Sequence, residues 1–365
     1  MLDDRALTAA ASAAGLSPLR FERQLGGSDR SQVCRVADAD GTTYVVKQYL
    51  SRDGGTYARE PAALEALAGT GVGPRLLGSS HDPDLVVLAD LGTHPTVADA
   101  LLGRDPDAAS AAIDGWVDAI AALHLAGDDD VLDTYGRRLS ARAKDMDTHR
   151  MPGTFSYAAD RYEGVGQRLG VAAPPGFLEA LRDLTAGLGP APPVLTPGDA
   201  CPDNNLLSDG RVVLLDHEFA EVRHPIWDVA YLRVPWPTCW CSWRLPDAVA
   251  DGAVDRYRAA VAPRVPSVTG DRFLADLDLA TLGWCLSSCS WQIETAIEED
   301  RGPDGLDGPT ARPKILHRLW LASRLPGPAP LTAYARRLLD ELSRLWGEPT
   351  LVLAPAFRSD DITIP

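Results

Sequence analysis

The stretch from Leu195 to Asp216 constrains this chain more than any other. Leu195-Thr196-Pro197-Gly198 is a largely apolar approach to Asp199, and the loop that follows carries Asn204 five residues further on. Two short apolar runs, Leu206-Leu207 and Arg211-Val212-Val213-Leu214-Leu215, then flank a Ser208-Asp209-Gly210 turn, which predicts a hairpin. The second run ends on Asp216, so closing the hairpin brings a second acid back toward the loop. Asp199 is placed to receive a proton from a hydroxyl, while Asn204 and Asp216 offer the hard oxygen ligands that Mg2+ prefers.

These residues resemble the catalytic and metal-binding segments of the aminoglycoside phosphotransferase family, whose pattern is H-G-D-x-x-x-x-N followed by a hairpin and an aspartate. Similar chemistry runs in protein kinases. The resemblance implies an α+β, two-lobed protein-kinase-like fold, with a small antiparallel-sheet lobe over residues 1–90 and a larger, mostly helical lobe over residues 91–365. It further implies transfer of the ATP γ-phosphoryl group to a hydroxyl with Mg2+ as cofactor, Asp199 as catalytic residue, and Asn204 and Asp216 as metal ligands. One position departs from the pattern. Pro197 stands where the family has histidine, and proline supplies no side-chain donor, so the loop must be held together differently while the chemistry is expected to survive.

Upstream, Gly26-Gly27-Ser28 lies between two strand-like runs. A Gly-Gly pair there is in itself only a turn, but it also lets backbone amides approach phosphate oxygens, with the Ser28 hydroxyl as a further donor. Lys47 sits inside the β-branched and aromatic run Thr42 to Leu50, and Glu60 follows thirteen residues later in an alanine-rich helix expected over Tyr57 to Ala68. A strand lysine paired with a helix glutamate grips nucleotide phosphates in kinase-like folds. Pro61 is tolerable within a first helical turn, which places the helix start near Tyr57 or later. The apolar strand Asp84 to Ala89 runs into a connector, so Ala89 and Leu91 mark the hinge whose backbone would meet the adenine edge.

Further along, His124 closes an apolar helix that includes Ile113 to Leu125 and reads as structural, and Asp128-Asp129-Asp130 reads as a solvated loop. Glu218 follows Asp216 by two residues and is read either as a holder of metal-bound water or as a plain surface acid. Asp228, in an apolar helix start, resembles the family's buried aspartate that braces the catalytic loop through backbone amides. Trp236, Trp240 and Trp243 fall within eight residues and either wall an acceptor pocket or pack the helical lobe. Glu294 and Glu298, one turn apart in a helix expected over Phe273 to Glu299, are candidates for contact with a cationic acceptor.

Charge and cysteine usage narrow the partners. Acids outnumber bases 51 to 35, for a formal charge of −16, which disfavours nucleic acid and suits a cationic acceptor as well as simple solubility. No apolar run approaches the roughly 18 residues of a membrane span, and the N-terminus lacks signal-peptide character, so a cytoplasmic protein is expected. The six cysteines match no standard zinc spacing; Cys239 and Cys241 meeting Cys285 and Cys289 is the thiolate grouping weighed against buried small hydrophobes. Three functions stay open at this stage: a phosphotransferase acting on a small hydroxylated acceptor, a Ser/Thr kinase acting on a biosynthetic precursor peptide, and a nucleotide-binding pseudokinase.

Overall fold

The computed structural model describes residues 2–208, 210–303 and 305–358. Asp209 of the hairpin turn, Asp304 and residues 359–365 lie outside them. Helix α1 (Asp4–Ala14) leads into β1 (Arg20–Ser28), β2 (Ser31–Ala37) and β3 (Thr43–Tyr49), then α2 (Thr56–Ala66), β4 (Leu76–His81) and β5 (Asp84–Ala89). The five strands form one antiparallel sheet in the order β1-β2-β3-β5-β4.

Strand alternation sorts its side chains onto two faces. Cys34, Val36, Val46, Leu85 and Val87 pack with Ala6, Ala10 and Ala11 of α1. Tyr49, Val86 and Leu88 pack with Leu64 of α2 on the other face. Close approach of α1 to β4 requires Gly78, where a Cβ would lie 2.2 Å from the Ala13 carbonyl oxygen.

Helices dominate the rest: α3 (Val97–Leu102), α4 (Pro106–Ala126), α5 (Asp129–Arg142), α6 (Met151–Leu169) and α7 (Phe177–Arg182) come first. Two small antiparallel ladders follow, β6 (Val194–Thr196) with β9 (Glu221–Arg223), and β7 (Asn205–Ser208) with β8 (Arg211–Leu214). The chain ends with α8 (Ile226–Val229), α9 (Asp247–Val261), α10 (Asp271–Glu298), α11 (Ala311–Ala322) and α12 (Ala329–Trp346). Helix α10 is buried on every side over Ala280 to Ser290, the pattern of a helix at the centre of a bundle. Its Trp284 indole donates to the Trp227 carbonyl at 2.8 Å, tying this helix to α8. Among the described residues no helix is long and apolar enough to cross a membrane.

Three local expectations are corrected. Gly26, Gly27 and Ser28 belong to β1 itself, paired with Val33, Gln32 and Ser31, so the turn is only Asp29-Arg30. Pro61 lies at the sixth position of α2, beyond its first turn, where it is buried and forgoes one helical hydrogen bond. The acidic run at 128–130 is a helix start: Asp128 caps the Val131 amide at 3.0 Å, and Asp129 and Asp130 occupy the first turn, where the helix dipole favours them. The stretch after α12 also packs, with Leu351, Ala354 and Ala356 buried and Leu353 bridging to Arg244.

His317 of α11 stacks against Trp320 at 5.8 Å. Burial, reinforced by the neighbouring Arg244 and Arg318, lowers its pKa from 6.5 to about 4. Between those two values the unfolded chain takes up a proton that the folded chain refuses, so stability falls as pH falls through this window. Discounted for partial exposure, the effect is on the order of 2 kcal/mol. His317→Phe should flatten the urea-midpoint profile between pH 6.5 and 4 by that amount, leaving the midpoint at pH 8 nearly unchanged.

Candidate active site

Because Val46 points toward α1, its neighbour Lys47 points toward α2, with Tyr49 on the same face. Lys47 is 5% exposed and Glu60 1%. The Lys47 ammonium pairs with Glu60 at 2.8 Å, with Glu218 at 3.0 Å, and with Asp216. The Tyr49 hydroxyl donates to Glu60 at 2.6 Å. Burial opposes the lysine's charge, but the three carboxylates outweigh it and raise its pKa; burial likewise raises that of Glu60, against the pull of Lys47.

Helix α2 is itself anchored. Arg59, beside Glu60, donates to the Ala220 carbonyl at 3.0 Å and the Asp147 carbonyl at 2.8 Å, and Glu65 pairs with Arg142 at 2.6 Å and Arg138 at 3.1 Å. The glutamate that holds Lys47 therefore rides on a helix bolted to the segment following Asp216.

The β7–β8 hairpin delivers Asp216 as the sequence leads one to expect. The Leu215 amide donates to the Asn204 carbonyl at 2.8 Å, which fixes the amide-bearing loop against the second acid. Asp216 adopts a left-handed backbone, φ 55°, a conformation that L residues hold only when their surroundings enforce it. His217 behind it is fully buried, with both ring nitrogens lacking partners; burial lowers its pKa to about 4, so it is a neutral filler packed near Gly73. Glu218 is buried and bonded to Lys47, which removes the plain-surface reading. The donor set of Asn204, Asp216 and Glu218 is oxygen-only and suits Mg2+.

Asp199 accepts hydrogen bonds from the Thr238 hydroxyl at 2.7 Å and the Cys201 thiol at 3.0 Å. Burial raises its pKa against these two donors, with the charges of Asp216 and Asp203 adding to the rise. Gly198 is obligatory here: at φ 79° a Cβ would lie 2.1 Å from the Phe219 carbonyl oxygen. Pro197 leaves the loop to other anchors. The Thr196 hydroxyl accepts from the Gly198 amide at 3.3 Å and donates to Asp228 at 2.9 Å. Asn205 closes the loop by donating to the Ala200 and Cys201 carbonyls, and Trp116 donates to Ala200 at 3.1 Å.

Asp228 is fully buried and accepts from His124 at 3.0 Å and from Arg223 as well as Thr196. Burial pushes its pKa up, but Arg223 and His124 overcome that and hold it at about 2. It thus braces the loop through side chains, and the backbone-amide bracing expected from the sequence is not what the structure shows.

The remaining sites divide. Gly26, Gly27 and Ser28 are exposed near the hairpin tip, and Ser28 accepts from the Arg30 amide at 3.1 Å. Arg30 at that tip reaches Glu218 at 3.4 Å, so the hairpin leans over the carboxylate cluster. Ala89 ends β5, and Leu91 follows Asp90, which Arg35 grips at 2.6 Å. Burial would raise the Asp90 carboxyl, but Arg35 and the Gly92 amide hold it below the usual range and fix the connector. Trp236 and Trp243 are buried packing residues, whereas Trp240 is half-buried beside the loop and donates to Asp203 at 2.7 Å. Glu294 and Glu298 pair with Arg161 and Arg168 of α6, the second pair lying at the surface. A cavity of about 820 Å3 lined by Arg233, Asp278, His317 and Trp320 includes none of the site residues.

Sequence reasoning missed Tyr49, Arg30 and Thr238. Tyr49 carried a signal, standing two residues from Lys47 on a strand; Thr238 lies 39 residues from Asp199 and carried none.

The model of the phosphotransferase enzyme family matches residues 22–265. The chain belongs to this family. It is therefore a phosphotransferase, and its fold is kinase-like. An ethanolamine kinase from Plasmodium vivax superposes with a TM-score of 0.53 at 11% identity, covering 91% of this chain and 84% of that one. A putative fructosamine-3-kinase from Thermobifida fusca gives 0.51 at 20% identity, covering 94% and 99%. The streptomycin-ATP-APH(2")-IIa ternary complex gives 0.51 at 14% identity, covering 82% and 93%. No curated protein sequence matches the chain.

If Asp199 works as a base, it must be ionised, and its hydrogen bond from Thr238 favours that form. Thr238→Val removes the donor, so the acid limb of the kcat profile should move up by about one pH unit. The measurement is turnover against pH for both proteins.

Proposed function

We propose that this phosphotransferase moves the γ-phosphoryl group of ATP to a hydroxyl of a small, cationic acceptor. The observation that carries the reading is the Lys47 ammonium held among Glu60, Asp216 and Glu218, which joins the sheet to the loop after β8. Lys47 would meet the nucleotide phosphates, with the β1–β2 hairpin at Gly26, Gly27 and Ser28 above them and the connector Ala89 to Leu91 beside the adenine. Asn204, Asp216 and Glu218 would hold Mg2+, which when bound neutralises charge on the phosphates.

Asp199 orients the acceptor hydroxyl and takes its proton, and the burial that raises its pKa makes it a better proton acceptor. Thr238 and Cys201 fix the direction of that carboxylate. Little covalent work is left to the protein; the gain comes from positioning and charge placement. For the acceptor, support comes from the acidic balance of the chain and from the amine-bearing compounds named for the ethanolamine kinase, the fructosamine-3-kinase and the streptomycin complex.

The test is ADP release with ATP and Mg2+ across amino alcohols, glycated amines, aminoglycosides, neutral nucleosides and Ser/Thr-rich peptides, with Asp199→Asn alongside. The expected result is turnover with a cationic small molecule, lowered about 100-fold to 10,000-fold in the variant. Turnover confined to peptides or neutral nucleosides would contradict the acceptor assignment.

A further inference from the structure

Beside the catalytic loop the fold gathers three sulfurs and one carboxylate that were distant in sequence. Cys239 Sγ lies 2.9 Å from Cys241 Sγ. One ligand atom each from Cys201, Asp203 and Cys239 lies within 4.8 Å of the others. The three cysteines are buried and unoxidised. Asp203 is oriented within the group: its Oδ2 accepts from the Trp240 indole at 2.7 Å, while Oδ1 faces Cys239 Sγ at 3.6 Å.

We infer that Cys201, Asp203 and Cys239, with Cys241 beside Cys239, form a binding site for a thiophilic divalent cation, with Zn2+ as the best match. Structural zinc sites use four donors. Three already lie within 4.8 Å of one another, and the fourth requires the Cys241 sulfur, which lies outside that group, to turn from its 2.9 Å contact with Cys239 toward the shared centre. Binding releases the thiol protons to solvent and leaves an anionic centre. Lys314 lies nearby; burial and Arg318 lower its pKa to about 8, against the pull of Cys239 and Cys241. The Trp240–Asp203 hydrogen bond acts as the outer partner that aims a ligand oxygen.

Neither inert packing nor a disulfide accounts for the cluster as well. Cysteines serving only as small hydrophobes look like Cys285 and Cys289 of α10, buried one turn apart, where the Cys289 thiol points to the Ile315 carbonyl and no acid joins them. A disulfide between Cys239 and Cys241 would use two members of the cluster and leave Cys201 and Asp203 unaccounted for. The grouping also differs from the one anticipated from sequence, since Cys201 and Asp203, and not the α10 pair, join Cys239.

A cation here would clamp the segment carrying Thr238 and Cys239 to the loop carrying Asp199 and Cys201; Cys201, once a ligand, gives up its hydrogen bond to Asp199 and leaves Thr238 as the donor that orients the carboxylate. The inference is independent of the acceptor, and its readout is metal binding, so its failure leaves the phosphoryl-transfer reading standing.

The test uses full-length protein purified under reducing conditions. Elemental analysis should find about one zinc per chain, and Co2+ added to chelator-treated protein should give a thiolate-to-cobalt charge-transfer band. Cys239→Ser and Cys241→Ser should weaken that band in proteins whose circular dichroism is native. Asp203→Asn should shift the ligand-field bands and keep the charge transfer, and Cys285→Ser should change neither. Reduced protein that gives no charge-transfer band, a band that persists unchanged in Cys239→Ser, or a native Cys239–Cys241 disulfide would each overturn the inference.

Discussion

One buried ammonium among three carboxylates organises the structure. Lys47 comes from the sheet, Glu60 from α2, and Asp216 and Glu218 from the turn after β8. Removing one partner of such a buried group typically costs about 3 to 5 kcal/mol, because the remaining charge is left uncompensated in a poorly solvated place. The elements that supply the four residues are thus held to one arrangement. The same cluster carries more acid than base, so a cation such as Mg2+ would complete it electrostatically. Stability and the proposed chemistry make the same demand on these side chains.

A second buried ionic group does for the Asp199 loop what the first does for the Lys47 side. Asp228 collects Thr196, Arg223 and His124, and Thr196 passes the restraint to Gly198, one residue from Asp199. This explains how the loop tolerates Pro197. A histidine at that place would hold the loop from within, whereas here a threonine on β6, an inward-turned Asn205 and the Trp116 indole hold it from outside. Pro197 itself needs no donor because the neighbours provide them.

Much of this was legible in the sequence because the decisive residues are local. Asp199, Asn204 and Asp216 fall within one loop and hairpin, and Lys47 and Glu60 sit on elements whose patterning is plain. What stayed hidden came from tertiary contact. Thr238 reaches Asp199 through packing of the tryptophan-rich segment, a relation that no spacing encodes, whereas Cys201 is a near neighbour in the same loop. Glu294 and Glu298 looked free because their arginine partners lie 133 and 130 residues away on another helix. Asp128 to Asp130 were misread for a different reason: an acidic run and a capped helix start share the same residues, and only the helix that follows separates them.

The central claim is that Lys47 and its carboxylates form the nucleotide site, and calorimetric titration with a slowly hydrolysed ATP analogue tests it most directly. The account predicts binding that requires Mg2+ in the native protein and weakens about tenfold or more in a folded Lys47→Met variant. Equal affinity in the two proteins, with the same dependence on Mg2+, would contradict it.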